Sequence, residues 1–155
     1  SRCVSSSAAR RAERAASTDF WAVCLRATGE LVGNLYLNLA DPVEWRTYEL
    51  GYVFHPDHWG QGYASRAASA LVDAVFREPG THRVQASCNP ENVASWRLLE
   101  RIGFRREGHL LRNASFSTDA DGNRSWQDTY LYAVLAQEWR DRAPSGAGLG
   151  VKVAL

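Results

Sequence analysis

Two glycines stand directly before the strongest helical pattern in the sequence, at residues 59–64 (WGQGYA). The N-terminus of a helix carries unpaired N–H groups and a partial positive charge, and glycine lets another molecule approach the backbone closely. A pyrophosphate suits such a site. The alternative is that Gly60 and Gly62 only form a tight turn. The Rossmann fingerprint fails because Ser65 stands at its third glycine or alanine position, and no Gly-Lys-Ser/Thr follows to complete a Walker A motif.

A second group of polar residues stands near the beginning of another predicted helix. Asn92 and Ser95 lie three residues apart, where an amide or a hydroxyl can contact a ligand or cap the helix. Gly103 stands where a left-handed C-terminal cap belongs, and Phe104 is placed to pack on the last turn. From the residues alone, Asn92 is either a cap or a ligand contact, and Ser95 is either catalytic or a plain surface residue.

The histidines and cysteines do not indicate a metal site. His55 and His58 form a close pair but lack third and fourth ligands, so we predict no bound metal. The three cysteines, Cys3, Cys24 and Cys88, are odd in number and form no CxxC motif. Inert thiols in a reducing cytoplasm are the simpler interpretation.

Composition and charge exclude several classes of partner. Eighteen basic and 17 acidic residues leave a formal charge of +1, which argues against nucleic acid as the main partner. No apolar run approaches the roughly 18 residues that a membrane span needs, and no signal peptide is visible. We therefore expect a cytoplasmic protein with no membrane partner. The length of 155 residues suits one domain, which we place at residues 1–140 with a tail at residues 141–155.

Hydrophobic periodicity predicts an α/β fold. Seven apolar positions from Ala64 to Phe76 fall at i, i+3, i+4, i+7, i+8, i+11 and i+12, which is a complete stripe on one side of a helix. The predicted helices cover residues 5–16, 64–76 and 90–101, with Pro90 in the first turn of the last one. The predicted strands cover residues 20–26, 31–39, 47–54, 82–88, 107–116 and 127–134, with a loop at residues 121–123.

Together these segments resemble the GNAT superfamily of N-acetyltransferases, and most closely its RimJ/RimL branch of ribosomal-protein N-terminal acetyltransferases. The resemblance runs over about residues 20–140. The motifs that carry it are ELGY at residues 49–52, WGQGYA at residues 59–64, NVASWRLLERIGF at residues 92–104, and DTYLY at residues 128–132 followed by Glu138 and Trp139. Their order and spacing are more specific than any one of them.

The resemblance implies a mixed, mostly antiparallel central sheet that is splayed in a V and flanked by helices, with acetyl-CoA in the gap. Family members normally begin with a strand and a helix before the segment equivalent to residues 5–16, so we expect that first strand and helix to be missing. Asn92 matches the residue that meets the pantetheine arm. The residues implied for acetyl-CoA binding are Val53, Phe54, Gln61, Gly62, Tyr63, Ala64, Ser65, Asn92 and Ser95.

The resemblance also implies a base and an acid. Glu49 matches the glutamate assigned as base in this branch, and Ser95 matches the serine that serves as acid for the leaving thiolate. In a strand, Glu49 faces away from the large apolar Leu50. Glu49 as an exposed strand residue or an arginine partner stays an alternative, as do Tyr130 and Tyr132 as the acid.

The implied activity is transfer of an acetyl group from acetyl-CoA to a primary amine. An α-amine with a pKa near 8 loses its proton at neutral pH at a cost of about 1.4 kcal/mol, against roughly 4.6 kcal/mol for a lysine-type amine. A weak base therefore favours an N-terminal α-amine of a protein or peptide. Acetylation of a small amine, such as an aminoglycoside or polyamine, and a silent CoA-binding module are the alternatives. Assembly as a homodimer stays open.

Overall fold

The computed structural model describes residues 18–142 and the backbone of residues 151–154. The strands are β1 (Asp19–Leu25), β2 (Leu31–Leu39), β3 (Thr47–Phe54), β4 (Arg83–Cys88), β5 (Arg105–Thr118), β6 (Arg124–Leu135) and β7 (Val151–Ala154). The α-helices are α1 (Tyr63–Phe76), α2 (Val93–Arg101) and α3 (Ala136–Asp141). The strands form one sheet in the order β5-β6-β4-β3-β2-β1-β7, in which only β3 and β4 pair in parallel. The predicted α/β class and mixed, mostly antiparallel sheet are confirmed.

β3 and β4 separate partway along their length. They pair at three positions, the last of which joins Glu49 and Gln85. Beyond that position β3 stays paired with β2 as far as Phe54, and β4 stays paired with β6 as far as Cys88. Beyond Glu49 and Gln85, β3 thus remains paired with β2 and β4 with β6, while β3 and β4 no longer pair with each other. The predicted V-shaped splay is present and opens toward the carboxyl ends of both strands.

The helices α1 and α2 pack on one face of this sheet. The predicted stripe of α1 is buried apart from Ala64, which is half-buried. Leu98 and Leu99 of α2 join the same core, as do Tyr48 and Leu50 of β3. Because side chains alternate along a strand, Glu49 lies on the opposite face. No helix in residues 18–142 is long and apolar enough to cross a membrane.

The end of α2 agrees with the prediction and its beginning does not. Gly103 adopts a φ of 101°, and the N–H of the buried Phe104 donates to the carbonyl of Leu99 at 2.9 Å, which is a Schellman cap. The helix begins at Val93 rather than at residue 90. Pro90 instead belongs to a preceding turn in which the N–H of Asn92 donates to the carbonyl of residue 89 at 2.9 Å.

The chain differs from the sequence-based expectation at two other places. The hairpin of β5 and β6 is longer than predicted. Its outer residues are exposed on both faces, so they lack the apolar alternation from which a strand is predicted. Val151–Ala154 lies within the predicted tail but pairs with β1, whose outer edge offers unpaired backbone groups to a segment rich in valine. The predicted helix at residues 5–16 lies outside the described residues.

The packing of α2 against the sheet can be tested at its buried residue Leu99. Leu99 is 0% exposed, so Leu99→Ala should lower the free energy of unfolding by about 2–5 kcal/mol. Leu111 is 72% exposed, and Leu111→Ala should change it by less than about 0.5 kcal/mol. Urea unfolding of both variants measures the difference, and equal losses would contradict this assignment of the core.

Candidate functional site

A cavity of about 800 Å³ lies where β3 and β4 separate. Its walls come from the end of β3, the glycine loop, the first turn of α1 and one side of α2. Most of the residues predicted to bind acetyl-CoA line it, namely Val53, Phe54, Gly62, Tyr63, Ala64, Ser65, Asn92 and Ser95. Gln61, whose backbone N–H the resemblance implies as the contact, is not among them, and its side-chain amide donates to the carbonyl of Asp57 at 3.4 Å.

The glycine loop leaves the N-terminus of α1 open to the cavity. Gly62 occupies the N-cap position with a φ of 78°, a conformation that favours glycine, and no side chain caps the helix. Arg66 holds the loop from the next turn, since its Nη2 donates to the carbonyl of Gln61 at 3.3 Å. The N–H groups of the first turn are therefore available to an anion.

The beginning of α2 places a polar cluster at the same cavity. Asn92 Oδ1 accepts a hydrogen bond from the N–H of Ser95 at 3.1 Å, so Asn92 caps the helix as well as lining the cavity. Ser95 Oγ lies 2.8 Å from the hydroxyl of Tyr52, and that hydroxyl also contacts the Ser95 carbonyl at 3.1 Å. The single hydroxyl proton of Tyr52 can go either to the Ser95 carbonyl or to Ser95 Oγ, so the two hydroxyl groups form a hydrogen-bonded pair on the wall of the cavity.

The sequence alone did not indicate a role for the Tyr52 side chain. The contact joins residues 43 positions apart, which only the fold brings together. The one available signal was the strand alternation, which puts Tyr52 on the same face as Leu50 and Phe54 and so toward the helices. Arg97 and Arg101 also line the cavity and were not singled out.

The surroundings of Ser95 are poorly solvated. Burial raises the pKa of the Tyr52 phenol above its ordinary value, and the hydrogen bond with Ser95 only partly opposes this. Burial also raises the pKa of the nearby Cys88 thiol, again opposed in part by Ser95. Both groups therefore stay protonated at neutral pH, and the Tyr52 hydroxyl is available as a hydrogen-bond donor.

Glu49 does not line this cavity. It is half-buried at the last paired position of β3 and β4, on the face of the sheet opposite α1 and α2. Within residues 18–142 its carboxylate has no hydrogen bond or ion pair, so the alternative of an arginine partner is not supported there. The two predicted catalytic residues therefore stand on opposite faces of the sheet, near the point where it opens.

The alternative acids are engaged elsewhere. Tyr132 is fully buried and donates to Glu100 at 2.8 Å, and burial raises its pKa to about 12. Tyr130 packs its ring 4.9 Å from that of His109. Neither tyrosine is among the described residues that line the cavity.

The family model of the acetyltransferase (GNAT) domain matches residues 3–105. The chain belongs to the GNAT family. The predicted resemblance is thus confirmed at the level of the family. Members of this family generally use acetyl-CoA as the acetyl donor, which agrees with a cavity that opens at a helix N-terminus.

The chain matches only part of the length of its curated relatives in the GNAT family. The uncharacterized N-acetyltransferase YnaD of Bacillus subtilis is 43% identical over 93 residues, which cover 60% of this chain and 51% of YnaD. The [ribosomal protein uS5]-alanine N-acetyltransferase of Escherichia coli is 32% identical over 90 residues, covering 58% of this chain and 43% of that enzyme. The chain therefore spans about half the length of YnaD.

Solved GNAT structures share the fold. An acetyltransferase (GNAT family) from Bacillus anthracis superposes with a TM-score of 0.66 at 39% identity, covering 76% of this chain and 66% of that one. A point mutant of the spermidine N-acetyltransferase SpeG from Vibrio cholerae gives a TM-score of 0.64 at 26% identity, covering 77% of this chain and 67% of that one. Two of these relatives are named for different acceptors, an alanine of ribosomal protein uS5 and spermidine.

The buried phenol of Tyr52 makes stability depend on pH. Because its pKa is raised in the folded chain, the unfolded chain releases this proton first once the pH exceeds about 10. The free energy of unfolding of the wild type should then fall with rising pH, with Tyr52 contributing up to about 1.4 kcal/mol per pH unit. Tyr52→Phe has no phenol proton, so its free energy of unfolding should fall less steeply over the same pH range. Urea unfolding from pH 8 to 11 compares them, and parallel profiles would contradict a buried phenol.

Proposed function

We propose that this chain is the catalytic part of an acetyl-CoA-dependent N-acetyltransferase that acts on an α-amine of a protein or peptide, as in the RimJ/RimL branch. The observation that supports it best is the pair of Glu49 and Ser95 on opposite faces of the sheet, close to the opening of the V. Such an arrangement lets an acceptor and a donor approach one point from two sides. A cytoplasmic location and a homodimer stay predictions.

The residues around the cavity fit acetyl-CoA. The uncapped N–H groups of the first turn of α1, beside Gly62, would hold the pyrophosphate. Val53, Phe54 and Asn92 would contact the pantetheine arm along the cavity. When bound, acetyl-CoA supplies an activated thioester whose acetyl group can pass to an amine. Gln61 would contribute only through its backbone, because its side chain bonds to residue 57.

Glu49 is suited to hold the proton that the acceptor amine gives up. Its carboxylate has no other partner within the described residues, so it is free to accept that proton directly or through water. It stands beyond the core on the face away from α1 and α2, where an acceptor would arrive without displacing acetyl-CoA. A single carboxylate of this kind is adequate for an α-amine, whose deprotonation costs about 1.4 kcal/mol at neutral pH.

Ser95 and Tyr52 are suited to supply a proton on the cavity side. When the Tyr52 hydroxyl donates to Ser95 Oγ, the Ser95 proton is free to point toward a thiolate in the cavity. The raised pKa of Tyr52 keeps that donor protonated at neutral pH. Ser95 therefore serves as the immediate donor, and Tyr52 acts through it as a positioning residue.

A polyamine acceptor is the second candidate, and a specific observation favours it. A second cleft of about 740 Å³ lies beside Thr47 and Gln85, which share the sheet face of Glu49. Asp41, Glu44 and the exposed ring of Trp45 line this cleft, a combination that suits an ammonium group. The resemblance to the spermidine acetyltransferase SpeG points the same way.

The acetyl-CoA site is tested by comparing two glycines that share a backbone conformation. Gly62 and Gly122 both have φ near 80° (78° and 84°), so valine strains either position. Acetyl-CoA should raise the melting temperature of the wild type and of Gly122→Val, because it binds only the folded state. Gly62→Val should lose this shift. If acetyl-CoA at hundreds of micromolar does not shift the wild type, the proposed cofactor is wrong.

The role of Glu49 is tested with Glu49→Gln, which keeps the shape and removes the basicity. Thiol release at neutral pH should fall by roughly 10²-fold or more, and the deficit should shrink as the pH approaches the pKa of the acceptor amine. Acetyl-CoA affinity should not change. Glu91→Gln, at an exposed position before α2, is the control. A loss that is the same at every pH would remove Glu49 from the mechanism.

The same assay separates the acceptor classes when it is run with a peptide bearing a free N-terminus and with spermidine. Turnover of the peptide alone supports the first proposal. Turnover of spermidine alone, weakened by Glu44→Gln, supports the second one. Acetyl-CoA binding without turnover of any peptide, polyamine or aminoglycoside would indicate a silent module.

A further inference from the structure

The cavity between α1 and α2 carries positive charge without a matching negative charge. Arg97 and Arg101 line it along α2, and no aspartate or glutamate within residues 18–142 is part of its wall. The two arginines are four residues apart, so they lie on the same side of the helix, one turn from each other. Like charges at this spacing repel, which favours an anion between or beside them.

Neither arginine is neutralised by a neighbouring carboxylate in the described part of the chain. Glu100 lies next to Arg101 in sequence but accepts a hydrogen bond from Tyr132 at 2.8 Å on the core side. Arg101 Nη1 donates to a neutral group, Ser65 Oγ, at 3.1 Å. The Arg97 guanidinium lies 5.5 Å from the ring of Trp96. Both side chains are exposed, and their remaining donors are available to a ligand.

Arg101 adjoins the position expected for the pyrophosphate on the side remote from Ser95, because its guanidinium contacts Ser65 in the first turn of α1. The pyrophosphate site consists of backbone N–H groups at Gly62 and the first turn of α1. Arg101 lies six residues beyond Ser95, or about 9 Å farther along α2 at 1.5 Å per residue. CoA carries one more phosphate, a monoester on the 3′ carbon of its ribose, at the end remote from its thiol. Such a monoester holds nearly two negative charges at neutral pH and matches the fork of a guanidinium.

We infer that Arg97, Arg101 and Ser65 bind the 3′-phosphate of CoA. The inference rests on the proposed function, since it takes the cavity to be the acetyl-CoA site. It adds that this wall of the cavity selects CoA over dephospho-CoA, which lacks only the 3′-phosphate. The selection depends on charge-assisted hydrogen bonds at an exposed position, so it weakens as the salt concentration rises.

Isothermal titration of the full chain with CoA and with dephospho-CoA tests this without an activity assay. The wild type should bind CoA at least ten-fold more tightly, or by about 1.4 kcal/mol. Arg101→Gln and Arg97→Gln should each weaken CoA binding while changing dephospho-CoA binding less than two-fold, and the double variant should lose the preference. Arg101→Lys keeps the charge and should retain part of it. Arg124→Gln, an exposed arginine of β6, is the matched control and should behave as the wild type.

Three outcomes would overturn the inference, and they differ in what they leave standing. Equal affinity of the wild type for both compounds removes the 3′-phosphate site but keeps the proposed function. An equal loss for both compounds in Arg97→Gln and Arg101→Gln would move these arginines to the pyrophosphate, again with the function intact. If neither compound binds the wild type at all, the proposed function fails along with the inference.

Discussion

Hydrogen bonding between β3 and β4 ends at the pair of Glu49 and Gln85, and the rest of the site depends on that limit. The two strands are parallel, so both point toward the open end of the V, and each is followed there by a helix. The loop after β3 leads into α1 and the turn after β4 leads into α2. Two helix N-termini therefore meet at one cavity, where their partial positive charges add. The inner strand edges also leave backbone groups that need partners from water or a ligand.

The residues proposed for catalysis near this point lie on two different faces of the sheet. Side chains alternate along β3, so consecutive residues near the opening serve different faces. Glu49 faces the side away from the helices, and Tyr52 faces the cavity, where it meets Ser95 of α2. In the proposed mechanism, the acceptor's proton would be taken on one face and a proton would be supplied on the other. The sheet would then lie between the proposed base, Glu49, and the proposed acid, Ser95.

Local patterns predicted most of the fold, because their causes are local. The apolar stripe from Ala64 to Phe76 predicted α1, and Gly103 with Phe104 predicted the end of α2. Pro90 suggested too early a start for α2, since its fixed φ suits the first turn of a helix and a tight turn equally well. The contact between the Tyr52 and Ser95 hydroxyls and the position of Arg97 and Arg101 at the cavity could not be predicted. Each depends on how α2 packs against β3 or α1. Family resemblance supplied Glu49 and Ser95, and geometry supplied their placement on opposite faces.

The parallel pairing of β3 and β4 also has a consequence for how the chain folds. Two parallel neighbours cannot be joined by a hairpin, so the whole of α1 lies between them in sequence. Contacts across such a long connection form late, after the intervening segment has collapsed onto the sheet. The antiparallel pairs on either side need no such crossover. The three paired positions of β3 and β4 are thus where two antiparallel halves of the sheet are joined, and unfolding of α1 would remove one wall of the cavity beside them.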